Sequence, residues 1–400
     1  MSEQALTKEQ RRQITSSAFL MMTSAIGPAF LTQTALFSVQ YLSSFAFVIL
    51  VATIISLGAQ LNIWRILSAS NEYAQDVSNK VFPGLGYVIS FFIVLGGIAF
   101  NIGNVAGAGL GLNAIFGLNP TISAVIIGLI AILIFLSKNG KALVDYLIQF
   151  LAVIMLILCL YVAIVSQPPL GEVAYRTFVP ENLESLVMPI ITIVGGTVGG
   201  YITFSGAHRL IETGNSGVEN MRYSTISSIT GIAATGIMRI FLFLAVLGVV
   251  YGGATINMDN PAASAFEAAL GPAGAVIFGF ILLAAGLSSV IGAAYTSASF
   301  VRTFHPILDK YNNLVIVGFI AFSTIVYAFI GQPVTLLVLA GAFNGMILPL
   351  TLGVTLVAAH KKSIVGDYKH PKWLTIYGVL AVLVTLVVGV MSLGDLTQLF

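Results

Sequence analysis

The sequence predicts an all-α polytopic membrane protein: two inverted sets of five spans, the first span of each set broken, and an eleventh span at the end. Three observations carry this. Of the 400 residues 58% are apolar and 8% charged, and the mean hydropathy is +0.99, a balance that no soluble domain shows. Apolar stretches of the ~20 residues needed to cross a bilayer recur eleven times. Two of them are interrupted by glycine or proline in mid-span, at Ser24-Ala25-Ile26-Gly27-Pro28-Ala29-Phe30 and at Gly195-Gly196-Thr197-Val198-Gly199-Gly200.

The spans are expected at 14–36, 41–67, 83–108, 119–137, 141–166, 183–210, 224–251, 272–301, 312–330, 333–359 and 373–398. Residues 1–13 form an N-terminal segment, 14–166 the first five-helix repeat, 183–359 the second, and 373–398 the additional helix. Gly and Pro in mid-span free backbone groups that hydrocarbon cannot satisfy, so such breaks persist only inside protein or beside a cavity. Breaks in spans one and six are five spans apart, and five is odd. The second set therefore enters the membrane from the opposite side, as in inverted-repeat secondary transporters whose cargo sits at the midplane.

Of the 17 Lys and Arg residues, all but Arg176 and Arg239 precede the first span or lie beside one set of alternate loops. The positive-inside rule makes that side cytoplasmic, which leaves the N-terminus inside and the C-terminus outside a prokaryotic cytoplasmic membrane. Trp64 and Trp373 fall at cytoplasmic span ends, where an amphipathic indole is expected. The net charge of +2 reflects this topology, and no nucleic-acid partner is expected. Met1–Gln13 shows no small-residue cleavage site, so no removable signal peptide is read. The single cysteine, Cys159, lies within span five, which excludes a disulfide framework and fits a small buried apolar residue. Gly96, Gly97, Gly103, Gly107, Gly109 and Gly111 suit close helix packing. They do not form a nucleotide loop, because no strand precedes them and the spacing is wrong.

Several motifs resemble those of the NRAMP (natural resistance-associated macrophage protein) transporters. Leu282-Leu283-Ala284-Ala285-Gly286-Leu287-Ser288-Ser289 looks like the family's eighth-span LLAAGQSS, and Leu112-Asn113-Ala114-Ile115-Phe116-Gly117-Leu118-Asn119-Pro120 like its LNLLFGIP. Gly195-Gly196-Thr197-Val198 fits the GTTV that opens the break of span six, and Ile347-Leu348-Pro349-Leu350 loosely fits the ALIPL of span ten. The resemblance implies a LeuT-like fold, with five-plus-five inverted repeats and broken helices one and six, and secondary-active transport of divalent metals with protons.

The departures bear on the cargo. The family's Asp-Pro-Gly-Asn, whose Asp and Asn bind metal, aligns with Gly27-Pro28-Ala29-Phe30, and its Met-Pro-His-Asn with Gly199-Gly200-Tyr201-Ile202. Its Asp-x-x-Glu of span three, associated with proton movement, aligns with Asn101-Ile102-Gly103-Asn104, which are neutral amides at both positions. None of the 15 acidic residues is expected near the midplane, and a divalent cation needs such charge to offset its dehydration. With Gly27 and Gly199 enlarging a cavity that Phe30 and Tyr201 line, the expected cargo is a small organic acid or amino-acid derivative. Backbone N–H groups at the half-helix N-termini, around Ala29–Thr32 and Gly199–Ile202, would hold its carboxylate. The alternative is a proton-coupled transporter of manganese, iron or magnesium.

The expected cargo-binding set is therefore Gly27, Pro28, Ala29, Phe30, Thr32, Gln33, Gly199, Gly200, Tyr201, Ile202, Asn101, Asn104 and Asn344, with no bound metal, no cofactor and no enzymatic constellation. Asn344 also suits a helix–helix hydrogen bond. Ser288 and Ser289 on span eight are candidates for a coupling ion, sodium or proton, although hydroxyls in spans usually bond back to their own helix. Arg239 lies fifteen positions into span seven, ~22 Å deep at ~1.5 Å per residue. An intramembrane Arg is a functional candidate by default, but because span seven is peripheral to a LeuT-like site, a structural cap on carbonyls of a broken helix is the preferred expectation for it. His208 is two positions beyond the family's span-six histidine and takes no role from it, and His305, His360 and His370 are expected in loops with no metal cluster.

Overall fold

The computed structural model describes Met22 and residues 25–137 and 140–396, nearly all of them helical. The expected N-terminal segment, the start of the first span, Ser24 of the first break, and Lys138 lie outside these residues. Helix α1 (Pro28–Tyr41) and α2 (Phe45–Ser70) are separated by a 3-10 turn in which Leu42 takes φ +48°. Counted as one, they span 43 residues, about twice what a bilayer needs, so they are two crossings. The chain continues through α3 (Leu85–Phe116), α4 (Pro120–Leu136), α5 (Gly140–Val165), and the two halves of span six, α6a (Val187–Val198) and α6b (Tyr201–Glu212). Then follow α7 (Met221–Tyr251), α8 (Pro272–Val301), α9 (Asn312–Ile330), α10 (Pro333–Ala358) and α11 (Lys372–Leu396).

Among the described residues eight helical stretches are long and apolar enough to cross a membrane, Pro28–Ser70 being one, and Phe150–Val165 with the bent Leu170–Arg176 makes a ninth. Dividing Pro28–Ser70 in two and adding the shorter α4 recovers the eleven expected spans. Several boundaries differ by a few residues, and the third span by most: its end is expected at 108, whereas α3 runs to Phe116. Its glycines stay helical because neighbours press on them. A Cβ at Gly111 would lie 2.6 Å from the Gly279 carbonyl on α8, and one at Gly109 3.0 Å from the Pro120 carbonyl on α4, so backbone-to-backbone packing replaces what intrinsic propensity lacks. At the start of α4, Asn119 Oδ1 accepts from the Thr121 amide at 2.9 Å, with Pro120 in the first turn where its missing N–H costs nothing.

Span six is the axis of the bundle. Its apolar window is 100% buried, against 33% for α9 and 28% for α11. The outer helices turn Leu133, Ile164, Phe329 and Val390 outward, the arrangement that a lipid surround favours. Arg65, Arg209, Arg302 and Lys361 gather at one end of the bundle, with Arg65 Nη1 donating to Thr225 Oγ1 at 2.6 Å and Lys361 Nζ to the Val81 carbonyl at 2.5 Å. Arg176 sits at the other end, paired with Glu181 at 2.6 Å. Trp64 corrects the interfacial expectation. It is fully buried, donates from Nε1 to the Thr203 carbonyl of α6b at 2.8 Å, and lies against Gly206, where a Cβ would overlap its ring. Exposed Trp373 keeps the interfacial character. Cys159 is buried, as its place in α5 required.

Candidate transport site

The first break is a change of backbone direction at Ile26-Gly27. The Ile26 amide still donates to the Met22 carbonyl at 2.8 Å, and the helix restarts at Pro28. Proline fits there because it has no N–H to leave unpaired and its φ is already helical. A Cβ on Gly27 would come 2.6 Å from Ser289 Oγ of α8 and 3.6 Å from Asn104 Oδ1 of α3. Glycine thus lets three elements meet at one point. The ring of Pro28 fills the notch left by Gly107.

The second break lies between α6a and α6b. Gly200 has φ +53° and ψ −131°, a conformation that an L side chain resists. Gly199 before it is extended, and its amide still donates to the Gly195 carbonyl at 3.0 Å. The Asn344 amide nitrogen on α10 donates to Gly96 O at 3.0 Å and to Ala340 O at 2.8 Å, while its Oδ1 occupies the space where a Cβ on Gly200 or Gly96 would lie. Asn344 therefore ties α10 to α3 beside the second break.

Most of the expected site residues are brought together. Tyr201 is buried beside the Asn104 side chain and meets the Phe100 ring edge-to-face at 5.7 Å. Gln33, one turn into α1, donates to the Leu337 carbonyl at 2.6 Å with its Oε1 facing Gly196. Ala29, Phe30, Thr32 and Ile202 are buried. Asn101 departs from the set. Its Nδ2 donates to Ser323 Oγ on α9 at 3.3 Å, about one helical turn along α3 from Asn104. Of the two serines only Ser289 faces the break, and Ser288 is half-buried on another side of α8. The cavity expected from Gly27 and Gly199 is not open in this conformation: Ser289 fills the first position, and a Cβ on the second would lie 2.6 Å from the Gly195 carbonyl and 2.8 Å from the Asn344 backbone.

Arg239 is the residue whose place the sequence did not reveal. It does not cap carbonyls of a broken helix. Its Nη2 donates to Thr197 Oγ1, at the end of α6a, at 3.2 Å, and its guanidinium lies 4.2 Å from the ring centroid of Phe30, in the first turn of α1. It thus touches both broken spans at once. Six buried polar atoms around the breaks have no partner among the described residues: Thr32 Oγ1, Gln33 Oε1, Asn104 Nδ2, Ser289 Oγ, Asn344 Oδ1 and Arg239 Nη1. Each such atom costs roughly 1–3 kcal/mol if nothing satisfies it, so these six are open to a polar guest or water.

Past Gln33, toward the Arg176 end, a cavity of about 1230 Å³ opens between Leu36, Phe37, Asn113, Asp259, Gln332 and Val338. Among the described residues no group of three or more His, Cys, Asp or Glu is placed to hold a metal ion.

A family model described as natural resistance-associated macrophage protein-like matches residues 18–395. The chain belongs to the NRAMP family. It is 52% identical to an uncharacterized membrane protein, YcsG, of Bacillus subtilis, over 94% of this chain and 93% of that one. A divalent metal cation transporter, MntH, of Levilactobacillus brevis is 19% identical over 88% of this chain and 82% of its own length. In fold it superposes on a manganese transporter of Eremococcus coleocola with a TM-score of 0.75 at 16% identity, covering 99% of this chain and 89% of that one. The NRAMP chain thus carries the LeuT-like fold, and it is an integral membrane protein of a transporter family.

Proposed function

We propose that this NRAMP chain is a secondary-active, alternating-access transporter whose cargo binds between the two breaks, and that the cargo is a small organic acid or amino-acid derivative. The observation that supports this cargo is the character of the lining. Amides, hydroxyls, the Tyr201–Phe100 pair and a guanidinium surround the breaks, and such groups cannot offset the dehydration of a dication. The comparisons lend that cargo no support. The metal transporters among the relatives favour the alternative, a divalent cation moved with protons. For the organic cargo, proteoliposomes should accumulate ¹⁴C-labelled small carboxylates and show no saturable manganese flux; saturable manganese uptake without carboxylate uptake would reinstate the cation.

The basic end of the bundle is placed in the cytoplasm, following the positive-inside rule. The external vestibule is then the cavity above Gln33, and Ser289 with Gly27 is the candidate contact for a coupling sodium ion or proton. A reporter active only in the cytoplasm, joined to Phe400, should stay silent; a strong signal would reverse the orientation or change the span count.

A further inference from the structure

We propose that Arg239 is the anion-recognition residue of this transporter, contributed by span seven to a cargo site otherwise built on the broken helices. The inference rests on the organic-cargo reading and deepens it by naming the charge that the cargo carries and the group that reads it.

Four observations converge. Arg239 is 2% exposed in the middle of α7, where a guanidinium must face protein or water. None of the ion pairs among the described residues includes it. Its Nη1 has no partner among the described residues, while Nη2 is held by Thr197 and the plane lies over the Phe30 ring. Stacking and one hydroxyl fix the orientation of the fork without neutralising it. Both of its neighbours belong to the breaks: Phe30 is the third residue of α1, and Thr197 is the second-last residue of α6a. The restarted helices α1 and α6b begin at Pro28 and Tyr201, near these two neighbours in the chain, and no side chain caps either N-terminus.

A carboxylate oxygen accepting from Nη1, with its partner oxygen on first-turn amides of α1, would neutralise the buried cation. Asn104 Nδ2 and Gln33 Oε1 would remain as donor and acceptor for the rest of the molecule. A divalent cation at the same place would meet like charge. The site therefore selects a small monoanion over its neutral counterpart and over a dication.

The test compares N-acetylglycine with N-acetylglycinamide, which differ chiefly in the charge, as competitors of labelled carboxylate uptake and as ligands in thermal-shift assays on the purified protein. In wild type the acid should bind at least ~30-fold more tightly than the amide, and Arg239→Gln should remove that preference, the loss expected when one partner of a buried hydrogen-bonded charge pair is truncated. Should Arg239→Gln fail to fold, Arg239→Lys keeps the charge without the fork, and it should weaken the acid while leaving the amide unchanged. A purely structural arginine would move stability and leave the acid-to-amide ratio alone, so an unchanged ratio overturns the inference. Equal binding of acid and amide by wild type, or no binding of either, also overturns it. Retained carboxylate uptake with an unaltered ratio in the variant removes only the role of Arg239, whereas manganese uptake in place of carboxylate uptake removes the organic-cargo reading as well.

Discussion

The two ends of the bundle are closed by different means. At the basic end, Trp64 Nε1 binds the Thr203 carbonyl at 2.8 Å, Gln75 Nε2 the Ser299 carbonyl at 3.2 Å, the Ala74 amide donates to His208 Nε2 at 3.2 Å, and Asn62 Nδ2 reaches the Leu374 carbonyl at 3.0 Å. These bonds join α2, α6b, α8, α11 and the connecting helix Ala74–Val81 through several layers. At the opposite end lies a cavity of about 1230 Å³, lined by Leu36, Phe37 and Val338, each within about one turn of the Gln33 to Leu337 hydrogen bond at 2.6 Å. A thick seal on one side and a thin one on the other is what an alternating-access protein presents when its cargo site faces the vestibule. On the proposed alternating-access reading, transport would require the thick seal to come apart and the thin one to be reinforced.

The largest test of this asymmetry is Trp64→Ala. It removes a fully buried ring together with its hydrogen bond and should cost about 3–5 kcal/mol, read as a lowered melting temperature in detergent; a loss below about 1 kcal/mol would mean that the basic end is not a seal. Gly206→Ala attacks the same contact by overfilling it and should cost about 1–3 kcal/mol. The smallest effect is expected at the other end. Gln33→Ala deletes a single bond worth about 1 kcal/mol, so with Ala29→Cys as a reporter, labelling by a membrane-impermeant thiol reagent from the vestibule side should rise about fivefold while the melting temperature stays nearly constant. Unchanged labelling would show that something other than Gln33 forms the floor, and the comparison of thick and thin seals would have to be redrawn.

Much of this architecture was legible before any coordinates. Hydropathy marks the spans, and Gly27-Pro28 and Gly199-Gly200 mark the breaks, because a chain in hydrocarbon advertises every interruption of its hydrogen bonding. What the sequence hid is tertiary. Asn101 and Asn104 look equivalent, yet they meet different neighbours one turn apart along α3, Ser323 of α9 for Asn101 and Tyr201 for Asn104. Trp64 carries the signature of an interfacial anchor, and only the proximity of Gly206 shows it to be a plug. Arg239 seemed remote because span seven is peripheral in the usual layout, and no periodicity records that its side chain crosses to Phe30 and Thr197. Open volume was also misjudged: small residues at Gly27 and Gly199 predict room, and neighbouring groups take it up.

The contact between α6a and α10 sets the mechanics. Backbone atoms of Gly341 and Gly345 lie where a Cβ on Gly195 would be, and main chain cannot yield as a side chain does by changing rotamer. The two helices consequently behave as one rigid strut. The freedom in span six is concentrated at Gly200, with φ +53°, which acts as a pivot. Beyond it α6b is a lever of 12 residues, about 18 Å long at ~1.5 Å per residue, with the carbonyl that Trp64 grips close to the pivot, at Thr203, and His208 farther along it. A few degrees of turn at that one glycine would become an ångström or more of travel at the Glu212 end of α6b, and far less at Thr203 beside the pivot.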